Sequence, residues 1–359
     1  PLDMPSSVLP VIRRCLQKDP ARRLHHIADA RIEIGDSVFE PSQAIRVAQR
    51  FPRRWISIST AALLFGLLGG ALLMRYFRPS AASSVSQSVI RIQMRLESGQ
   101  WLDGMRWPPP YGFDLPTRTA VAISGDGRFL VYSAVKENPG TQDRPRLYLR
   151  RLDRLEAKPI EGTEGGISPF LSPDDRWVGF WADRKLKKAS VDGGVATELC
   201  DVASPFGFTW ADDNHIVFAS AGSAGLLTIS AEGGKPETLT VCDKSKEEYS
   251  HRLPHCIHNG KGILFTITRH GADWQPRVAV LDPATRKWRV LLEDAADARY
   301  MTTGHLAFLR QGKLMLASFD AARLEITGQP FPVIDNITQA LNTGSSNSDT
   351  AAGQFSVSA

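Results

Sequence analysis

The chain has 359 residues, 42% hydrophobic and 23% charged, an ordinary globular composition with room for two or three domains. Its net charge of +5 is uneven: the first 54 residues hold ten Lys/Arg against six Asp/Glu, leaving 33 against 32, or +1, for the rest. That distribution argues against a nucleic-acid partner, which would require the basic excess on the large folded part.

In chain order, residues 6–40 read as two short amphipathic helices. Leu9, Ile12, Cys15 and Leu16 share one face of the first, Asp19-Pro20 interrupts, and Ile27, Ala30, Ile34 and Val38 line the second. Two such helices cannot enclose a core, so they must pack on further structure. The run Leu9-Pro10 through Cys15-Leu16, Lys18-Asp19-Pro20, Arg23 and Leu24 resembles the close of the large lobe of eukaryotic-like protein kinases. The resemblance covers about thirty residues and implies for Arg23 a structural ion pair with the Glu of an Ala-Pro-Glu motif. Asp19, Pro20 and Arg23 are therefore structural candidates. The Gly-rich phosphate loop, the His-Arg-Asp segment and the Asp-Phe-Gly segment are not in this sequence, so no catalytic residue and no cofactor site is expected in it. ATP and Mg would belong to the kinase domain of a parent protein, together with that protein's substrates. The sequence opens on Pro1-Leu2-Asp3 and stops at Ser358-Ala359 within an alternating run, and it reads as a fragment of a longer chain.

A basic juxtamembrane segment, 41–54, precedes twenty uncharged residues from Trp55 to Met74. At 1.5 Å per residue these reach about 30 Å, the thickness of a bilayer core. Trp55 and Tyr76 stand where aromatic rings prefer the headgroup level, and a single transmembrane helix is expected over 55–77. Arg46, Arg50, Arg53 and Arg54 before it outnumber Arg75 and Arg78 after it. The positive-inside rule therefore places the N-terminal side in the cytoplasm and the rest outside an inner membrane. Gly66, Gly69 and Gly70 permit close helix approach, as in a homodimer, without forming a GxxxG pattern. Residues 78–88, small and polar, form a flexible linker.

From residue 89 onward the pattern is β. Turns at Asp126-Gly127, Asp174-Asp175, Asp212-Asp213, Asn259-Gly260 and Thr303-Gly304 each lead into an apolar run, with steps of 48, 38, 47 and 45 residues. A repeat near 45 residues is propeller spacing, and the turns suit hairpins feeding buried strands. A second strand follows in every unit, at 146–152, 185–191, 225–229, 278–281 and 313–319, and Gly193-Gly194 and Gly233-Gly234 mark outer turns. Gln354–Ser358 reads as the start of a sixth unit, and 89–96 as an additional or closing strand. Ser124-Gly125-Asp126-Gly127 and Ser172-Pro173-Asp174-Asp175 resemble the repeats of TolB-type periplasmic β-propellers. That resemblance implies the fold over roughly 115–359 and leaves the ligand unspecified. The expected class is therefore mainly β, a propeller of about six blades with the last incomplete, behind one membrane helix and a kinase-lobe remnant. Asp126, Gly127, Asp174, Asp212 and Gly260 are expected at blade turns.

No catalytic constellation is evident: Ser172, Asp174 and His215 belong to the repeat, with no nucleophile elbow among them. The four cysteines, Cys15, Cys200, Cys242 and Cys256, lack metal-site spacing, and the last three allow at most one disulfide. His251, His255 and His258 have helical spacing, but Pro254 and the β-run after them argue for a loop and no metal. A His-x-x-Pro-His segment before a strand like 262–266 is also familiar in propellers that follow such kinases. Trp101, Trp107 and Pro108–Tyr111 form an aromatic and proline-rich stretch, suited to a recognition surface or a lid. Expected partners are the lipid bilayer and an extracytoplasmic protein, peptide or small molecule. Three architectures fit: the C-terminal part of a transmembrane serine/threonine kinase, a non-enzymatic anchored binding propeller, and a one-pass transcriptional regulator.

Overall fold

Each apolar run after a turn forms a strand buried on both faces. A computed structural model describes residues 93–104, 117–136, 143–220, 225–257, 261–269, 275–340 and 350–358. The first sheet contains β1 (Gln100–Leu102), β2 (Val121–Ile123), β3 (Phe129–Lys136), β4 (Arg146–Arg151) and β5 (Ala157–Pro159), with β1 and β2 both along β3. The second runs β6 (Ile167–Leu171), β7 (Trp177–Ala182), β8 (Lys185–Ser190), β9 (Thr197–Asp201). The third runs β10 (Pro205–Trp210), β11 (His215–Ser220), β12 (Leu227–Ser230), β13 (Glu237–Thr238). The fourth runs β14 (Glu248–Ile257), β15 (Gly262–Arg269), β16 (Arg277–Asp282), β17 (Lys287–Leu292). The fifth contains β18 (Ala296–Met301), β19 (His305–Arg310) and β20 (Lys313–Asp320), with β21 (Glu325–Ile326) and β22 (Phe331–Ile334) both along β20. All pairings are antiparallel and, apart from β1 with β3 and β22 with β20, join consecutive strands of a meander; β2, β6, β10, β14 and β18 neighbour one another in turn. The described residues therefore form a β-propeller with five blades.

The second strand of each blade explains the continuous apolar runs. Side chains alternate at period two, so a strand between two other blades must be apolar on both faces. On β11, Ile216 and Phe218 face the second sheet, where they meet Trp181 and Leu186. Val217 and Ala219 face the fourth, where they meet Phe265 and Ile267. β19 divides likewise, with Leu306 and Phe308 in one cluster and Ala307 and Leu309 in the next. Each fully buried Phe or Leu contributes about 1.5–3 kcal/mol relative to exposure. The outer strand β22 has all four residues exposed, an edge position where Pro332 is tolerated.

The predicted turns are built from side chains. Ser124 Oγ donates to Asp126 Oδ1 at 2.8 Å and accepts the Arg128 and Phe129 amides. Ser172 Oγ repeats this with Asp174 Oδ1 at 2.6 Å and the Trp177 amide at 3.0 Å. The serine hydroxyl is the first cause holding the Asp174 carboxyl below its ordinary value. The turn's contribution is thus full at neutral pH and is lost as acid protonates Asp174 through that lowered value. Ser172→Ala should cost about 1 kcal/mol in denaturant unfolding and flatten the acid limb of the stability curve. An unchanged acid limb would refute the assignment.

The inner strands share a defect. β6, β10, β14 and β18 each slip register, and each has a slip marked by one residue of positive φ: Ser168 (54°), Gly207 (111°), Leu253 (51°) and Asp297 (49°). The segment 350–357 carries the same mark at Ala351 (71°). It lies between the fifth and first sheets. Thr350 bonds Thr117, Thr119 Oγ1 donates to the Gly353 carbonyl, and Gln354 Oε1 accepts the Ala120 amide. From the other side Asp297 Oδ2 accepts the Gly353 amide at 2.8 Å, and Arg299 donates to the Phe355 carbonyl while covering that ring at 4.0 Å. The expected strand at Gln354–Ser358 is instead irregular chain, tied by a single bridge from Gly353 to Gln339. The described residues supply no sheet along its outer side, and without one a ladder cannot propagate.

Gln93–Leu96 is also irregular, although 89–96 suggested a strand. The only helix among the described residues is a 3-10 turn at Lys244–Lys246, and none is long and apolar enough to cross a membrane. Asp19, Pro20, Arg23, the 55–77 span, the linker, Trp107–Tyr111, His258 and Gly260 lie outside the described residues.

Candidate functional site

The inner strands converge on the propeller axis around a cavity of about 200 Å³, reached by residues of all five sheets and by Ser356 and Val357. Part of its wall is aromatic: Phe170 of β6 stacks on Phe208 of β10 at 5.4 Å, Trp210 tilts against Phe170, and Tyr300 of β18 also lines the cavity. The rest is mixed, with Arg118, Arg299, Asp175, Asp297, His255 and several Ser and Thr side chains beside apolar ones. Thr209 Oγ1 accepts the Cys256 amide at 3.1 Å, and Asp175 at one rim accepts the Gly125 amide at 2.9 Å. Burial raises the Asp175 carboxyl above its ordinary value. Ser168 lines the cavity with its hydroxyl buried and no hydrogen-bond partner. The left-handed turn at Ser168 accompanies the register slip of its strand. A concave site that combines apolar walls with fixed polar groups is one kind of ligand pocket.

Of the residues singled out from sequence, Asp126, Gly127 and Asp174 sit in the first two blade turns, with Gly127 at φ 68°. Asp212 lies in the third turn, along a groove between the third and fourth sheets. Ser172 and Asp174 bond each other, whereas His215 begins β11 in another sheet beside Asp213. His251 and His255 do not come together. The bulge at Leu253 divides β14, so His255 lines the axis while His251 Nε2 lies 3.1 Å from Glu248 Oε2. Cys200, Cys242 and Cys256 form no disulfide. Burial pushes the Cys256 thiol up to about 12, which makes it unreactive despite its place on the axis. Trp101 is half-exposed on β1, the Arg118 amide donates to the Gly104 carbonyl, and Arg118 pairs with buried Asp103.

Sequence reasoning missed Ser168 and the inner-strand aromatics. The Gly165-Gly166 pair just ahead of Ser168-Pro169 was the available signal.

No family model matches the chain, and no curated protein does. Among solved structures it is similar to TolB from Acinetobacter baumannii, at 16% identity and a TM-score of 0.46, over 62% of this chain and 55% of that one. It is similar to a putative TolB from Agrobacterium tumefaciens at 18% identity and 0.40, over 50% and 69%. It is also similar to Kuenenia stuttgartiensis hydrazine synthase at 14% and 0.44, over 66% and 70%. The chain thus spans about half the length of the Acinetobacter protein. These likenesses carry no site chemistry, which is read from the residues themselves.

Proposed function

We propose that the propeller is the extracytoplasmic ligand-binding part of a single-pass membrane signalling protein whose cytoplasmic part is a serine/threonine kinase. The axial cavity carries the binding role, because an unpartnered buried hydroxyl at Ser168 in a concave wall of mixed apolar and polar side chains suits a small molecule or a peptide segment. The signalling role rests on order along the chain: a kinase-lobe-like segment, a basic flank, an apolar span and a propeller. Residues 350–357 carry the same left-handed mark as four inner strands, which supports reading them as part of a sixth unit. The chain by itself is expected to transfer no phosphate; ATP, Mg and protein substrates belong to the parent's kinase domain.

Thermal-shift screening of the full chain in nanodiscs against peptides and metabolites should yield a ligand. Its affinity should fall roughly tenfold in Ser168→Ala, the loss of one hydrogen bond of about 1–1.5 kcal/mol. Undiminished affinity would remove the axial site from the reading. The kinase half is tested separately, by ATP-dependent phosphorylation in the parent protein with and without the propeller. Equal activity in both would count against a sensory role.

A further inference from the structure

The densest cluster of metal-ligating side chains lies away from the axis. After β13 the chain passes Cys242 and the 3-10 turn, then enters β14 at Glu248. This return brings Cys242, Glu248 and His251 together, their ligating atoms within 4.8 Å of one another. The Glu248 and His251 side chains are 1% and 0% exposed. We propose that Cys242 Sγ, Glu248 Oε2 and His251 Nε2 form a site for one divalent transition-metal cation of the zinc class.

The donor set argues for that class. Thiolate, imidazole and carboxylate together suit zinc and its neighbours, whereas calcium and magnesium take oxygen alone. Spacing agrees. Bonds of about 2.0–2.3 Å in a tetrahedron place ligand atoms about 3.3–3.8 Å apart. Nε2 and Oε2 are already 3.1 Å apart, and the thiol needs to close by about 1 Å at most.

The surroundings also hold the ligands as metal sites do. Thr240 Oγ1 stands 2.7 Å from His251 Nδ1 and is itself fixed by the Leu226 amide at 2.8 Å. The Asp243 amide donates to Glu248 Oε2 at 2.8 Å. Phe265 and Trp288 flank the imidazole, with ring centroids at 4.7 and 5.4 Å. A partner on the second ring nitrogen and an apolar surround fix tautomer and orientation.

The proton balance is simple. Binding releases the thiol proton to solvent and takes the Nε2 lone pair of His251, with Nδ1 facing Thr240 Oγ1. Two ligand charges then balance the dication, and affinity rises with pH as one proton is displaced. Bound metal would clamp residues 240–248 onto β14.

The test uses the full chain in nanodiscs dialysed against cobalt(II). One cobalt per chain is expected, with a thiolate-to-cobalt charge-transfer band in the near ultraviolet that zinc(II) removes. Cys242→Ala should abolish the band with the β circular-dichroism spectrum intact, while alanine at Cys15, Cys200 or Cys256 leaves it. Glu248→Gln, which keeps shape and some hydrogen bonding, should retain the band and weaken binding at least tenfold. Absence of the band in the parent chain, or its persistence in Cys242→Ala, overturns the site.

Discussion

Replacing Arg299 with alanine should destabilise the propeller by roughly 3–5 kcal/mol, the scale for removing one partner of a buried ion pair. Arg299 and Asp297 side chains are 13% and 6% exposed. Arg299 spends its donors on Asp297, the Phe355 carbonyl and Thr119 Oγ1, which joins the fifth sheet, the 350–357 segment and the first sheet in one step. Its removal strands the Asp297 carboxylate with the Gly353 amide and takes the cation from the Phe355 ring. A domain of this kind holds only about 5–15 kcal/mol in total. Denaturant unfolding measures the loss, and hydrogen exchange at Gly353 and Gln354 should accelerate with it. Asp297→Ala combined with Arg299→Ala should cost less than the sum of the two. A single variant within about 0.5 kcal/mol of the parent would show that the ring does not depend on this residue.

Gly207→Ala is expected to cost roughly 2–6 kcal/mol, combining backbone strain of about 1–3 kcal/mol with overpacking of similar size. Its φ of 111° lies where side chains are rarely accommodated, and an added Cβ would stand 2.7 Å from Leu253 Cα and 2.9 Å from Leu253 N. Those atoms are the backbone of the neighbouring inner strand, so neither can swing aside. Gly234 separates the two causes. Its φ is 129° with nothing within 4 Å of an added Cβ, so Gly234→Ala should show the strain alone. Equal thermal shifts for both variants would dismiss the contact argument.

The parts of the fold legible in the sequence are those buried on two faces. The runs 177–182, 215–220, 262–269 and 305–310 are continuous because both neighbours demand apolar side chains, and the Asp/Gly turns ahead of them announce where they begin. The inner strands were not legible. They are interrupted by residues such as Ser168, Leu253 and Asp297, whose left-handed backbone leaves no compositional trace. Gly207, and the Gly165-Gly166 pair ahead of Ser168, are the visible hints. The same interruption explains the histidines: His251 and His255 would share a face of a regular strand, and the bulge between them sends one to the axis and the other to Glu248. The meeting of Cys242 with Glu248 and His251 was not legible, because a 3-10 turn, not regular spacing, brings them together.

The way the ring is joined has a consequence for how it is made. Each sheet forms from neighbours in sequence and can assemble as soon as its four or five strands exist. The join differs, since Thr117 must find Thr350 across 233 residues. Bringing such distant points together costs about 5 kcal/mol in chain entropy if the intervening polymer is flexible. Blades already in place shorten that path, so closure should come last and should set the rate at which the finished protein appears. Until then Phe355, Leu309 and Leu314, which share one apolar cluster in the finished ring, stand uncovered. A nascent chain is therefore most exposed to proteases and to its own copies during this final search.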